Sequence, residues 1–380
     1  MEQKPKQQPP SVPFGSNAVR LSPREWLVAA LIIALTLVLL PMVWPTLELV
    51  HVNPDYRVPY SLGNDYWHVQ RFVRRVATQN RILVVGDSVV WGHYVAHDQT
   101  LSHHLGDIAH QPRFANAGVD GSHPAALAGL IAHYSRAIRG KHVLVHCNLL
   151  WLSSHKHDLT TTKEFSFNHP QLVPQFSPPI ACYRETLANR MGIVAARYAP
   201  FLSWADHLRI AYFGSNSLST WAVDHPYRCP IRQITLKLPP PSEPPSPRPV
   251  AKPWAERGMR QFAASWVDLD ASFQWWSFRR TIRILRQRGN QVFVLVGPFN
   301  EHMLKPDSLK AYRKLKGQVA AWLRDQDIPH YVPDPLPSAL YADASHPLAE
   351  GYKLLAQRLY AHDAFAQFDV RPTNKGANAR

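Results

Sequence analysis

The chain has few acids, few cysteines and none of the glycine-rich loops that cradle phosphate. Neither G-x-G-x-x-G nor G-x-x-x-x-G-K-[ST] follows its first strand-like run, which excludes a dinucleotide or P-loop site there. The G-x-S-x-G elbow of the α/β-hydrolases is absent, and there is no internal repeat. Asp and Glu number 27 against 42 Lys and Arg, a formal charge of +15. Such an excess ordinarily raises nucleic acid as a partner, but location has to be settled before charge is interpreted. Global disorder is excluded by 46% hydrophobic and 11% aromatic residues, and 380 residues suffice for one large domain or two small ones.

What is present begins with WLVAALIIALTLVLLPMVW, Trp26 to Trp44, an uncharged run close to the ~20 residues that cross a hydrocarbon core as a helix. A signal peptide is the rival reading, but PMVWPTLELV offers no small-x-small cleavage site; a buried core helix is the other. Lys4, Lys6, Arg20 and Arg24 precede the run. The positive-inside rule therefore makes 1–25 a cytoplasmic tail, 26–44 a membrane span, and everything after about residue 45 extracytoplasmic, on the periplasmic side of an inner or plasma membrane. Nucleic acid is then no expected partner. The positive charge is expected to meet anionic head groups or acidic envelope polymers, or to be plain solvated surface. In an oxidising compartment Cys182 and Cys229 are candidates for a disulfide, with Cys147 a small core hydrophobe.

Beyond a linker over 45–78, strand-like and helix-like runs alternate. RILVV (81–85), RFANAG, KHVLVHC and NQVFVLV read as buried strands. Helical spacing marks Gln99–Ala109, His123–Ile138, TIRILRQRG, LKAYRKLKGQVAAWLRD and AEGYKLLAQRLYAHDAF. The alternation predicts an α/β fold, a parallel sheet covered on both faces with sites at the carboxyl ends of its strands. The domain is expected in two parts, 79–151 and 279–368, separated by a proline- and aromatic-rich insertion over 152–278. Within it LPPPSEPPSPRPVAKP should be extended, and 369–380 reads as a disordered tail.

A serine just past a buried strand sits where α/β enzymes keep a nucleophile. Gly86-Asp87-Ser88 is such a place, although a turn whose Asp or Ser caps the next helix has the same composition. Far downstream, Asp343-Ala344-Ser345-His346 can present a carboxylate to one imidazole nitrogen while the other faces Ser88. Alone, this segment reads as a helix cap. Asn148, ending the third strand, is a neutral donor for a developing oxyanion, and Gly118 lets an acyl oxygen approach its amide.

Gly86-Asp87-Ser88, Asn116-Ala117-Gly118-Val119-Asp120-Gly121, Asn148 and Asp343-Ala344-Ser345-His346 together resemble, in that order, the motifs of the SGNH or GDSL-type hydrolases. The resemblance covers roughly 79–150 and 280–365. It implies a three-layer α/β/α, flavodoxin-like SGNH fold with Ser88 as nucleophile, His346 as base and Asp343 as its orienting acid. It also implies an oxyanion hole of the Ser88 and Gly118 amides and the Asn148 side chain, with no metal and no cofactor. The third motif departs from the family's G-x-N-D: here it is His146-Cys147-Asn148-Leu149. Together with the span and Pro298-Phe299-Asn300-Glu301, this is more similar to the envelope O-acetylation and acyltransfer members than to secreted lipases. The expected partners are then a polysaccharide or other acyl-ester substrate and an integral-membrane acyl-donor protein. Asp87 and Asn300 are candidate substrate-binding residues, with His302 a further one beside Asn300; for Asn300 and His302 ordinary turn residues are the simpler description, and for Asp87 a helix cap is the alternative.

Other clusters carry less. His155-Lys156-His157-Asp158 reads as a solvated loop rather than a metal site. His103 and His104, adjacent on a helix, are expected to diverge and not chelate. Trp254, Trp266, Trp275 and Trp276 suit sugar stacking or, more simply, packing. The expected activity is a serine esterase or O-acyltransferase. Its alternative is an inactive scaffold of the same fold that binds an envelope polymer or a membrane acyltransferase.

Overall fold

The computed structural model describes residues 21–79 and 81–369. The basic residues Lys4, Lys6 and Arg20 and all but the first residue of the 369–380 tail lie outside them. The apolar run forms α1 (Pro23–Leu47), started by a Ser22–Glu25 capping box and exposed along most of its length. Its length and hydropathy of 2.7 are enough to cross a membrane.

The 45–78 linker is a correction: it is built into the domain. Tyr66–Ala77 forms α2, with Val69, Phe72, Val73 and Val76 buried on one face at helical spacing. Upstream, the buried guanidinium of Arg57 donates to the carbonyls of Trp91, Gly92 and Val95. Its apolar positions recur every three to four residues, the period of an amphipathic helix, so the sequence carries the signal for α2 and the linker expectation overlooks it.

Next come β1 (Ile82–Gly86), α3 (Ser88–Trp91), α4 (Leu101–Ile108), β2 (Phe114–Gly118), α5 (Pro124–Gly129) and β3 (His142–Cys147). After the insertion helices α6 (Leu187–Tyr198), α7 (Pro200–Phe213), α8 (Leu218–Asp224) and α9 (Pro230–Gln233) the domain resumes. It continues with α10 (Phe273–Gln287), β4 (Gln291–Val296), α11 (Pro306–Asp325), β5 (His330–Tyr331), α12 (Ala349–Tyr360) and α13 (Asp363–Asp369).

The five strands form one parallel sheet in the order β2-β1-β3-β4-β5. Alternate residues feed two cores. Leu83, Val85, Val143, Val145, Val292 and Val294 join the core under α2, α5, α10 and α11. Val84, Phe114, Leu144, Phe293 and Leu295 join the one under α4, α12 and α13. Both faces are therefore covered, as near-continuous apolar strands require. The strand order reverses direction between β1 and β3, so a crevice opens at their carboxyl ends.

The insertion is less irregular and less separate than 152–278 implied. Four helices occupy 187–233, and α10 begins inside its expected span, started by Ser272 and by Asp158, which accepts from the Phe273 and Gln274 amides at 3.0 and 3.1 Å. Residues 238–253 hold no helix or strand. They cross the domain as a strap, with the Pro241 carbonyl accepting from Arg57 Nε at 3.2 Å and Glu243 from the Ser61 hydroxyl at 2.8 Å.

Candidate active site

β1 is buried along its whole length and delivers Asp87 and Ser88 to the crevice. Asp87 caps α3, its Oδ1 accepting the Val89 amide at 3.0 Å, and Ser88 is the first residue of that four-residue helix. The turn is tight. A Cβ on Gly86 would lie 2.6 Å from Val90 Cγ2 and 2.7 Å from His146 Cβ, so α3 can fold back on the strand end only over glycine. Tyr352 on α12 fixes α3 from the other side, its hydroxyl donating to the Val89 carbonyl at 2.6 Å.

The segment before α12 meets this serine. His346 Nε2 lies 2.8 Å from Ser88 Oγ, while Nδ1 lies 2.9 Å from both oxygens of Asp343. Asp343 Oδ1 also accepts the Ser345 and His346 amides at 2.9 and 3.0 Å. A carboxylate can only accept, so the Nδ1 proton is held toward Asp343 and the Nε2 lone pair is left facing the hydroxyl. Burial opposes the charged form of each group, yet their mutual attraction prevails: Asp343 is lowered below the usual carboxylate range and His346 is raised above 6.5. Asp87 and Asp120 add to the latter effect.

Behind the serine lies a second aspartate–histidine pair. Asp87 is buried, its Oδ1 also bonded to His146 Nδ1 at 3.1 Å and its Oδ2 accepting from Asn148 Nδ2 at 2.7 Å and Trp151 Nε1 at 2.9 Å. Burial would raise its pKa, but His146 and these donors bring it down to about 2. Every acceptor position is used, so Asp87 is a hub that fixes β1 to β3 and not a substrate ligand, which corrects the sequence-based expectation.

The oxyanion donors differ from expectation at one position. The Gly118 amide donates to Asn116 Oδ1 at 3.1 Å and is buried. A Cβ there would sit 2.5 Å from the Trp91 nitrogen. Gly118 is glycine so that α3 can pack on β2, and its amide is turned away from the crevice. Three residues on, Gly121 (φ 72°) is partly exposed, and its amide has no acceptor among the described residues. The Ser88 amide is likewise free. Asn148 spends one amide hydrogen on Asp87 and keeps a second, its orientation locked by the Leu150 amide on Oδ1 at 3.0 Å.

The rim comes from residues the sequence did not single out. His93 bonds Asp120 at 2.7 Å, with its ring 5.7 Å from that of His346; Tyr94 lies 5.4 Å from the same ring. Arg257, from the insertion, donates to the Tyr94 hydroxyl at 3.0 Å and to the Ala342 carbonyl at 2.8 Å, tying the insertion to the loop that carries Asp343 and His346.

Asn300 is not a crevice residue. It is fully buried, its amide nitrogen donating to the Asp343 carbonyl at 3.1 Å and its backbone to that of Ala344 at 2.8 Å. It joins the end of β4 to the loop that carries Asp343 and His346. His302 Nε2 meets the Leu336 carbonyl at 3.1 Å.

The other clusters bring three corrections. Asp158 is buried in its cap rather than solvated. His103, His104 and Asp107 converge, with ligand atoms within 4.8 Å of one another and Asp55 bonded to His103 Nδ1 at 2.9 Å. Adjacent side chains on this short helix thus do reach a common point, and among the described residues this is the group that could hold a metal. All three cysteines are free. Cys182 is buried against the Leu159 carbonyl and Cys229 is exposed, so the expected Cys182–Cys229 disulfide is not formed. Trp275 is core, while Trp254 and Trp266 are half-buried, their indoles bonded to Ser338 and to the Ser308 carbonyl. Compared with known proteins, the chain matches no family model and no curated sequence.

Proposed function

We propose that the protein is a membrane-anchored serine esterase or O-acyltransferase of the SGNH type. The observation that carries the reading is the continuous contact Ser88 Oγ–His346 Nε2–His346 Nδ1–Asp343, between residues 258 positions apart in sequence. A structural role does not require a hydroxyl, an imidazole in one tautomer and a partly buried carboxylate in that order at the switch point of a sheet.

Ser88 Oγ attacks the carbonyl carbon of an acyl ester as His346 Nε2 takes its proton. The tetrahedral oxyanion is held by the Ser88 amide, the second Asn148 amide hydrogen and the Gly121 amide, which takes the place expected of Gly118. Collapse breaks the ester C–O bond, and the leaving alcohol takes the proton from His346. Water or a sugar hydroxyl then gives a proton to His346 and attacks the acyl carbon; collapse breaks the acyl–Ser88 Oγ bond, Ser88 Oγ takes the proton back from His346, and the acyl group leaves on the acceptor. The resemblance to envelope members makes a short acyl group on a polysaccharide the substrate. The basic residues ahead of α1 favour a domain outside the cytoplasm, anchored by α1, and the resemblance suggests an integral-membrane acyl-donor protein as partner.

The alternative, an inactive scaffold, is favoured by one observation: the Gly118 amide and one Asn148 hydrogen are already satisfied internally. Hydrolysis of 4-nitrophenyl acetate by the full chain in mild detergent discriminates. Turnover lost in both Ser88→Ala and His346→Ala supports the esterase; turnover equal in parent and Ser88→Ala would sink it.

A further inference from the structure

Where α1 meets the domain there is a cavity of about 450 Å3, walled on one side by Pro41 and Met42 and on the other by arginines. We propose that it binds the phosphate head group of an anionic membrane phospholipid, an inference that rests on reading α1 as a membrane span.

Depth is the first argument. From residue 23 to 40 α1 is almost entirely exposed, and Pro41 is its only buried residue. At 1.5 Å per residue that bare stretch measures roughly 27 Å, close to the ~30 Å of a hydrocarbon core. The bilayer boundary therefore falls near Pro41, and the cavity sits at head-group level.

Charge is the second. Arg71, Arg74, Arg136 and Arg197 line the cavity, and no carboxylate does. Arg71 is paired with Glu48. Arg197 donates to the carbonyls of Gln171 and Val173, which leaves its positive charge uncancelled and its buried Nε without an acceptor. Arg74 and Arg136 are exposed and have no carboxylate partner among the described residues. The field shows on His133, which also lines the cavity. Burial first, then Arg197, Arg280, Arg136 and Arg288, push it down to about 4. Guanidinium groups without counter-ions are what phosphate oxygens bind, through paired charge-assisted hydrogen bonds.

The apolar neighbourhood selects a lipid over a free anion. Tyr198, in the same wall, continues a stripe on α6 with Leu187 and Met191, at 64, 69 and 56% exposure. Tyr198 lies against His133 and Arg136 and shares the cavity wall with Pro41 and Met42 of the span, and the exposed Leu187 and Met191 extend that apolar surface along α6, as an interfacial helix face does.

The test is native mass spectrometry of the full chain released from nonionic detergent with phosphatidylglycerol or phosphatidylcholine of the same acyl chains. The parent should retain phosphatidylglycerol and not phosphatidylcholine. R74Q/R136Q should weaken retention about tenfold, whereas K310Q/K314Q, the same charge loss on the exposed face of α11, should leave it unchanged. Equal retention of the two lipids, equal loss in both double variants, or displacement by inorganic phosphate at comparable concentration would each overturn the proposal. Turnover of a soluble short ester is read in parallel and should be the same in R74Q/R136Q as in the parent. If Ser88 is inert while the lipid pattern holds, only the proposed activity fails.

Discussion

Two aspartate–histidine pairs flank the same serine, and they differ in what the far nitrogen of each histidine meets. In Asp343–His346 it meets Ser88 Oγ at 2.8 Å. In Asp87–His146 the far nitrogen is buried with no partner, and the carboxylate is saturated by Asn148 and Trp151. A hydrogen-bonded carboxylate and imidazole are therefore common property of the pair proposed as catalytic and of a structural one. A reactive proton acceptor is distinguished by a lone pair aimed at a hydroxyl in a reachable crevice.

The sharpest way to break the comparison is to remove each acid. Asp343→Asn should lower kcat for ester turnover by about 10^3- to 10^4-fold with little loss of stability, because the wrong histidine tautomer then faces Ser88. Asp87→Ala should do the reverse in stability, lowering the unfolding free energy by about 3 kcal/mol as His146, Asn148 and Trp151 lose their shared acceptor. Thermal melts and steady-state kinetics on both variants check this; equal melting temperatures would erase the distinction.

Next in size is Asn148→Ala, expected to cost about 10^2- to 10^3-fold in kcat with KM little changed. If activity survives intact, Asn148 only braces Asp87. The third test is pH. A general base must be neutral, and His346 is raised above 6.5, so kcat/KM should climb with pH to a plateau above that value. In Asp343→Asn the residual activity should titrate at lower pH. Acid stability is a further test, one that both depressed acids influence. Asp87 is depressed to about 2 from 3.8, so the stability it supplies is full above pH 3.8 and is lost as pH falls toward 2. Asp87→Asn should flatten that part of the pH–stability curve. The smallest effect belongs to Asn300→Ala, which loosens the Asp343 loop at a distance: about tenfold in kcat, with the pH profile of the parent.

Much of this was legible in the sequence. Four of the five strands and their parallel sheet followed from apolar runs alternating with amphipathic stretches, because a sheet covered on both faces leaves little choice of residue; the two-residue β5 and the strand order did not. Ser88, Asp343 and His346 could be picked out because each lies in a short segment beside an element boundary. The errors share a cause. Gly118, Asn300 and Asp87 were read as facing substrate because they stand at strand ends, but strand ends also need close packing, caps and braces, and residue type does not separate these uses. Gly121 carried a signal, a second glycine in the same loop at positive φ. The Asp158 cap of α10 and the reach of Arg57 and Arg257 depend on contacts across long sequence separations. Composition does not encode these.

The central claim is that Ser88 becomes acylated. It is tested most directly by intact-mass analysis and peptide mapping of the full chain quenched during turnover of an activated acetyl ester. The account predicts one added acetyl group, on the peptide that contains Ser88, which accumulates in the parent and is absent in Ser88→Ala. Turnover with no adduct on that peptide, or the same adduct level in Ser88→Ala, would contradict it.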